Sequence, residues 1–229
     1  MGTIRRIYDK LQGHHDPVSF SQSGEDRIIY FLTQYAGIVE PTYLDIGAFD
    51  PWFINNTALF YKMGGHGWNI EPNQHRCAVL KKQRPRDINL NAGVSDMDGE
   101  STFFEMKEAT LSTFSEEEAK RLDNAEPGML KASYNVKVIR IATLIKQYCD
   151  GVFPDILSLD VEGMDEVIIR DMGSLSTLPS VICAETAIHT GGNLGPKKTG
   201  LIRSIESLGF VQYADTYINT IFLRKDLWT

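Results

Sequence analysis

Acidic side chains stand at the ends of several short apolar runs in this sequence. Asp45, Glu71, Asp160 and Glu185 close or follow the runs TYLDIG, GWNIE, DILSLD and SVICAE. Short apolar runs bounded by turn signals are typical of buried strands, and a buried carboxylate is costly unless hydrogen bonds compensate for its burial. Because ligands of open α/β sheets bind outside the carboxyl ends of the strands, the pattern predicts a carboxylate-lined site at that edge.

The turn GAFDPW at residues 47–52 indicates which ligand such a site suits. A dinucleotide site uses three glycines to bring backbone amides onto a pyrophosphate, whereas this turn has Gly47 alone and places Asp50 where an anion would be repelled. Glu71 follows Asp45 by 26 residues. This is close to the separation at which a carboxylate after the second strand of an α/β fold binds ribose hydroxyls. The pattern favours a cationic, adenosine-bearing ligand, S-adenosylmethionine, over NAD.

A hydroxyl that accepts a methyl group must lose its proton, and a positioned base for that step is worth about 10²- to 10⁴-fold in rate. The candidate bases are Asp160, Glu162, Glu185 and His189. Glu162 has a second interpretation as a first-turn helix carboxylate. His189 has a second interpretation as a surface histidine beside Gly191 and Gly192.

A divalent metal ion is an alternative way to activate the hydroxyl. Asp160, Glu185 and His189 could hold such an ion, which would lower the pKa of a bound hydroxyl as a Lewis acid. The sequence offers no second matched pair of carboxylates beside them, so we expect a metal-free site.

Composition bounds the class of protein. The 229 residues are 42% hydrophobic, enough for one core, and the net charge of -7 without a basic run argues against a nucleic-acid partner. We expect a small-molecule or glycan acceptor instead. Cys77, Cys149 and Cys183 are odd in number and far apart, which favours reduced thiols and a cytoplasmic location. No apolar run approaches the roughly 18 residues of a membrane span.

Short β-rich runs alternate with helical patterns from residue 42 onward, which predicts an α/β fold. We expect a doubly wound, mostly parallel seven-stranded sheet that ends in a C-terminal antiparallel hairpin. The predicted strands cover residues 43–46, 68–71, 88–94, 155–160, 180–185, 209–214 and 218–225. The predicted helices cover residues 25–35, 56–62, 73–83, 143–148 and 198–208.

One segment departs from this alternation. Residues 107–133 are charged and rich in turn formers, and they include SEEEAKRLDNAEPG. Such a segment can be a solvated helix and loop, or it can be a lid over a pocket, because long insertions at strand ends often carry function. The sequence leaves both interpretations open.

Several motifs together resemble one protein family. They are SQSGEDRII at 21–29, YLDIGAFDP at 43–51, NNT at 55–57, GWNIEPN at 67–73, NAGVSDMDGESTFF at 91–104 and LSLDVEGMDEVII at 157–169. In this combination the sequence resembles the FkbM-type methyltransferases, which are S-adenosylmethionine-dependent enzymes with the Rossmann-like class I fold. It departs from that family at Ser158 and Leu159, where Lys and Ile are more usual, and at Met164, which replaces a small residue.

The resemblance implies one domain over residues 1–229, with the N-terminal segment 1–40 packed over the cofactor and the possible lid at 107–133. It implies that Asp45, Gly47 and Ala48 line the methionine end of the cofactor. Glu71 would bind the ribose, and Ser95 with Asp96 would contact the adenine. The remaining cofactor residues that it implies are Ser21, Gln22, Glu25, Asn56, Thr57, Pro72 and Asp160.

The resemblance also implies an activity. The expected enzyme is an O-methyltransferase that acts on a hydroxyl of a sugar, a glycan or a glycosylated metabolite. A nicotinamide-dependent sugar oxidoreductase and a non-catalytic cofactor-binding module are the alternatives. The hairpin edges, with aromatic residues expected to be exposed such as Trp52 and Trp228, permit a homodimer.

Overall fold

The computed structural model of the chain describes residues 18–161, 163–190 and 193–228, with the backbone alone at 189–190 and 193–194. The strands in these ranges are β1 (Tyr43–Ile46), β2 (Gly67–Ile70), β3 (Ile88–Leu90), β4 (Gly93–Ser95), β5 (Gly99–Met106), β6 (Leu130–Arg140), β7 (Ile156–Leu159), β8 (Val181–Glu185), β9 (Ala187–Thr190), β10 (Asn193–Lys197), β11 (Phe210–Asp215) and β12 (Asn219–Arg224).

The helices of the same ranges lie mostly between these strands. They are α1 (Glu25–Tyr35), α2 (Ala58–Lys62), α3 (Gln74–Gln83), α4 (Glu116–Ala125), α5 (Ile141–Tyr148), α6 (Asp165–Met172) and α7 (Thr199–Ser207), with short 3₁₀ helices at Ala109–Leu111 and Lys225–Leu227. They lack the length and apolar composition that crossing a membrane requires.

Seven strands form the main sheet, in the order β11-β12-β8-β7-β1-β2-β3. Neighbours from β3 to β8 pair in parallel, whereas β12 runs antiparallel to both β8 and β11. The predicted doubly wound sheet and its C-terminal hairpin are therefore confirmed. The strand order reverses between β1 and β7, which is where an open α/β sheet binds its ligand.

The core has two halves, one on each face of the sheet. Alternate side chains of a strand point to opposite faces, so Leu44 packs with α5, α6 and α7, and Tyr43 packs with α1 and α2. Because helices cover both faces, β1 and β7 are buried along their whole length. Both strands consequently deliver their last residues to the same edge from a fixed position.

A second, three-stranded sheet in the order β4-β6-β5 follows β3. The predicted strand 88–94 is therefore wrong as one element. The Asn91 side chain interrupts it by donating to the carbonyl oxygens of Glu71 at 2.9 Å and Pro72 at 2.8 Å. The segment between β5 and β6 contains the 3₁₀ helix Ala109–Leu111 and helix α4, so the second sheet carries the charged region 107–133.

Candidate active site

The carboxyl ends of β1 and β7 lie in direct contact. The backbone N–H of Asp160 donates to the Ile46 carbonyl at 3.1 Å, and a Cβ atom added to Gly47 would lie 2.0 Å from the Asp160 carbonyl oxygen. Gly47 also has a φ of 84°, a conformation that glycine adopts readily. The two strand ends can approach this closely only because residue 47 has no side chain.

A cavity of about 100 Å³ opens at this switch point. The loop after β1 contributes Gly47, Phe49 and Ile54 to its wall, and the loop after β7 contributes Asp160 and Val161. A third side is formed by Glu71, Pro72, Asn73 and Arg76. A fourth side is formed by Phe103 of β5 and by residues between 109 and 114, in the segment that joins β5 to β6. The structure thus brings together four of the predicted site residues: Gly47, Glu71, Pro72 and Asp160.

Glu71 is buried in this wall, with 5% of its surface exposed. Its Oε2 accepts from the Phe49 N–H at 2.9 Å and its Oε1 accepts from the Asn73 N–H at 2.8 Å. Burial raises the pKa of Glu71 to about 7, although these two hydrogen bonds and the nearby Arg76 act in the opposite direction. The carboxyl group is therefore fixed in direction and titrates near neutral pH.

The loop after β1 is held in a strained conformation. Phe49 and Ile54 have positive φ angles of 52° and 50°, which are uncommon for residues other than glycine. The Asn55 side chain donates to the Ala48 and Asp50 carbonyl oxygens at 3.1 and 3.0 Å. Asp50, expected from the sequence to repel an anion, accepts from the N–H groups of Trp52 and Phe53 and so closes the turn.

Asp45 lies beneath this loop, outside the cavity wall. Its Oδ2 accepts from Thr57 Oγ1 at 2.8 Å and from Asn55 Nδ2 at 3.1 Å. Burial raises the pKa of Asp45, and Arg84 and these hydrogen bonds oppose the shift. Asp45 and Thr57, both predicted to contact the cofactor, therefore belong to a buried network that supports the loop.

The N-terminal segment packs beside the same loop. The Asn55 N–H donates to the Phe20 carbonyl at 2.9 Å, and Ser21 Oγ donates to Asp26 at 3.1 Å. Glu25 is buried and accepts from Thr216 Oγ1 at 2.6 Å and Asn219 Nδ2 at 3.1 Å. Burial raises the pKa of Glu25, but these bonds outweigh it and leave the pKa below its usual value.

The other predicted cofactor residues lie around the cavity rather than in its wall. Asn56 Nδ2 donates to Ser158 Oγ at 3.2 Å, and the Ala48 N–H donates to the Ile70 carbonyl at 3.2 Å. Ser95 ends β4 and donates to Asp96 at 3.1 Å. Gln22 is exposed. Residues 1–17 of the predicted covering segment lie outside the described part of the chain.

Asp160 is the candidate base that the structure places in the cavity wall, with an exposed side chain. Glu185 is buried and lies 3.0 Å from Lys198 Nζ, which is also 3.2 Å from Asp165 Oδ2. Burial raises the pKa of Asp165 to about 6, opposed by Lys198. Glu162 and the side chain of His189 lie outside the described residues.

The sequence analysis missed several residues of this region. Arg76 lies 3.7 Å above the Phe49 ring and lines the cavity. Its position three residues after Asn73, whose side chain caps α3 by accepting from the Arg76 N–H, is a signal that the sequence contained. Asn55, Arg84 and Lys198 act through contacts between distant elements, which no local pattern reveals.

A second cavity of about 400 Å³ adjoins the first and shares Phe49, Asn73, Arg76 and Ala109 with it. Lys107 and Lys131 line it, and Lys131 Nζ lies 2.5 Å from Glu105. Within the described ranges, no three His, Cys, Asp or Glu side chains come together as ligands for a metal ion.

Comparison with known proteins identifies a family whose model matches this sequence. Residues 45–211 match the model of the methyltransferase FkbM domain. Among curated proteins, none matches the sequence.

Solved structures with a similar chain path include three methyltransferases. One is a TehB-like SAM-dependent methyltransferase from Corynebacterium glutamicum, at 11% identity and a TM-score of 0.46 over 98% of this chain and 97% of that one. Another is a putative caffeoyl-CoA O-methyltransferase from Staphylococcus aureus, at 9% identity and a TM-score of 0.44 over 96% and 89%. The third is the magnesium protoporphyrin IX methyltransferase ChlM from Synechocystis PCC 6803, at 11% identity and a TM-score of 0.39 over 97% and 96%.

Proposed function

This chain belongs to the FkbM family of methyltransferases, and from that premise we propose that it is an S-adenosylmethionine-dependent O-methyltransferase. The proposed acceptor is a hydroxyl of a sugar, a glycan or a glycosylated metabolite. The observation that carries the proposal is the meeting of Gly47, Glu71 and Asp160 in one cavity at the switch point of the sheet.

The polar groups that line the cavity fit the proposed cofactor. Two carboxyl groups, Glu71 and Asp160, line the wall, and carboxylates suit ribose hydroxyls and a cationic ligand. A pyrophosphate would need a glycine-rich loop, whereas Phe49 and Asp50 occupy the loop after β1. The single glycine of the first turn supports S-adenosylmethionine over NAD.

Each residue has a proposed role in that site. Glu71 would accept hydrogen bonds from the ribose hydroxyls, and Gly47 would leave room for the amino-acid portion of the ligand. S-adenosylmethionine supplies a methyl group on a positively charged sulfur. Asp160 would accept the proton of the acceptor hydroxyl and hold the oxygen in position, because orientation of the reacting groups carries much of the rate in such a transfer.

The region 107–133 is proposed to act as a lid. The first cavity is smaller than the roughly 300 to 1,000 Å³ of typical ligand pockets, and residues between 109 and 114 occupy one side of it. Displacement of this segment would enlarge the site. The sugar or glycan acceptor is proposed on the family resemblance. The homodimer is proposed on the hairpin edge and on the exposed ring of Trp228, whereas Trp52 is half-buried.

Isothermal titration calorimetry with S-adenosylhomocysteine and with NAD tests the proposal. We expect S-adenosylhomocysteine to bind with micromolar or tighter affinity and NAD to give no heat of binding. Binding of NAD alone would favour the oxidoreductase. Cofactor binding without transfer of a radiolabelled methyl group to any of a panel of sugars and glycosides would favour a binding module.

A further inference from the structure

The guanidinium of Arg84 lies at the C-terminal end of α3, completely enclosed, with 0% of the residue exposed. Its Nε donates to Asp87 Oδ2 at 2.7 Å. Its Nη1 donates to Asn55 Oδ1 at 3.2 Å, and both Nη atoms lie 3.0 Å from Thr57 Oγ1. A buried charge is costly unless it is paired and hydrogen-bonded, and here one cation connects the loop after α3 to the loop after β1.

The contacts of Arg84 continue to the cavity through Asn55. While Asn55 Oδ1 accepts from Arg84, the Nδ2 of the same side chain donates to the carbonyl oxygens of Ala48 and Asp50. The Thr57 hydroxyl accepts from the guanidinium and donates its own hydrogen bond to Asp45 Oδ2 at 2.8 Å. One side chain, that of Asn55, therefore separates Arg84 from the two carbonyl groups that flank Phe49, which lines the cavity.

Three residues that adjoin Ala48, Asp50 or Asn55 in the chain line the cavity. Gly47, Phe49 and Ile54 contribute the loop's surface to the cavity, and these three have positive φ angles of 84°, 52° and 50°. Uncommon backbone conformations persist only where the surrounding structure over-determines them. The loop thus depends on its buried contacts for the shape that it presents to a ligand.

We propose that Arg84 is a positioning residue for the cofactor. From beneath the site, and without contact with the ligand, it holds the loop after β1 in its binding conformation through Asn55 and Thr57. The inference rests on the proposed cofactor site. It assigns to the buried Arg84–Asp87 pair a function beyond packing. Arg84 Nη1 is hydrogen-bonded to Asn55, and Asn55 holds the loop that lines the cavity.

Tyr43 provides a matched control within the same network. Its hydroxyl donates to Asp87 Oδ1 at 2.7 Å, and the centre of its ring, which Tyr43→Phe retains, lies 5.1 Å from Arg84 Cζ. Tyr43→Phe and Arg84→Lys each remove buried hydrogen bonds, so both are expected to lower the melting temperature. Lysine keeps the charge of Arg84 but cannot reproduce the planar fork of donors.

The experiment measures the affinity for S-adenosylhomocysteine by calorimetry, and KM and kcat for S-adenosylmethionine. Loss of one buried hydrogen-bonded contact is expected to raise Kd about tenfold in Arg84→Lys. KM should rise with it, while kcat at saturating cofactor stays near the wild-type value. Tyr43→Phe should bind like wild type. Equal changes in Kd for the two variants, or an unchanged Kd in Arg84→Lys, would overturn the inference.

A second pair of variants decides the matter if Arg84→Lys does not fold. Thr57→Ser keeps the hydroxyl that links Arg84 to Asp45, whereas Thr57→Val removes it at similar volume. We expect weakened binding for valine and rescue by serine, and equal binding by the two would contradict the inference. Failure of the wild-type protein to bind would instead refute the proposed function, so the two failures are distinguishable.

Discussion

The carboxyl group of Glu71 combines burial with two backbone donors, and it faces the cavity in a fixed direction. Replacement by alanine would leave the ribose hydroxyls without a charged acceptor. We expect Glu71→Ala to weaken binding of S-adenosylhomocysteine by about 1 to 3 kcal/mol. Calorimetry measures the change, and unchanged affinity would show that β2 does not deliver the ribose contact.

The pKa of Glu71, raised by burial to about 7 from 4.5, gives a pH dependence. The folded state holds this proton more tightly than the unfolded state, so the stability that it contributes is present below pH 4.5 and is lost as the pH rises to about 7. Ligand affinity should change in the opposite direction, because the ionised carboxylate is the better acceptor. We expect Kd for S-adenosylhomocysteine to fall between about pH 6 and pH 8. A Glu71→Gln variant should show no such trend.

Asp160 is the described candidate base that reaches the cavity. Asp160→Asn keeps the shape of the side chain and removes its basicity, so kcat is expected to fall by about 10²- to 10⁴-fold. Cofactor affinity should fall far less than kcat, and calorimetry on the same variant measures that smaller change. Retention of kcat would assign the proton to another group, such as Glu162 or His189.

Among the elements, the segment between β5 and β6 is the one whose role the sequence left open. Its backbone is joined to β5 by hydrogen bonds between Phe104 and Thr113 at 2.9 and 3.1 Å, which hold it against the cavity. Glycine at Ala109, Thr110 and Leu111 would loosen the 3₁₀ helix. If the segment is a lid, both association and dissociation of S-adenosylhomocysteine should become faster in stopped-flow measurements.

Lys146→Gly, on an exposed position of α5 and outside residues 107–133, is the control for a general effect of added glycine. Unchanged ligand kinetics in the triple-glycine variant, with normal folding, would favour the solvated-loop interpretation of residues 107–133.

The sequence predicts an element well when a pattern of apolar residues within that element defines it. Helix α1 and strand β1 were both predicted at their observed bounds. Each element buries apolar residues at helical or strand spacing, and that spacing is visible in the sequence. Helix α6 was missed, although Asp165, Ile168, Ile169 and Met172 repeat at helical spacing and are all buried. Strands β5 and β6 were missed for a different reason. Most of their residues are exposed or half-buried, so pairing between distant segments, rather than an apolar pattern, defines them.

The same distinction applies to the residues of the candidate site. Gly47, Glu71 and Asp160 follow strands, and a strand with a turn after it is a local signal. The network of Asn55, Arg84 and Asp87 joins the loop after β1 to the loop after α3, and its geometry exists only after β1 and β2 have paired.

At the scale of the whole molecule, the three cysteines report on the integrity of the core. Cys77, Cys149 and Cys183 are all buried, and burial raises the pKa of each thiol, that of Cys149 to about 12. Thiolates are the reactive form. We expect no reaction with a thiol-specific chromogenic reagent in the native protein and three equivalents in denaturant. Rapid labelling of a native thiol would show local opening of the fold.

The contacts of Glu25 with Thr216 and Asn219 span 191 and 194 positions of the chain, and β12 lies between β8 and β11 rather than at the edge. During synthesis, α1 is therefore made long before β12, a strand that it contacts. Until β12 is made, one edge of β8 has no partner strand. Long-range pairing of this kind slows folding and leaves apolar surface open to aggregation. Chaperone demand should accordingly peak while residues 185–218 are being translated.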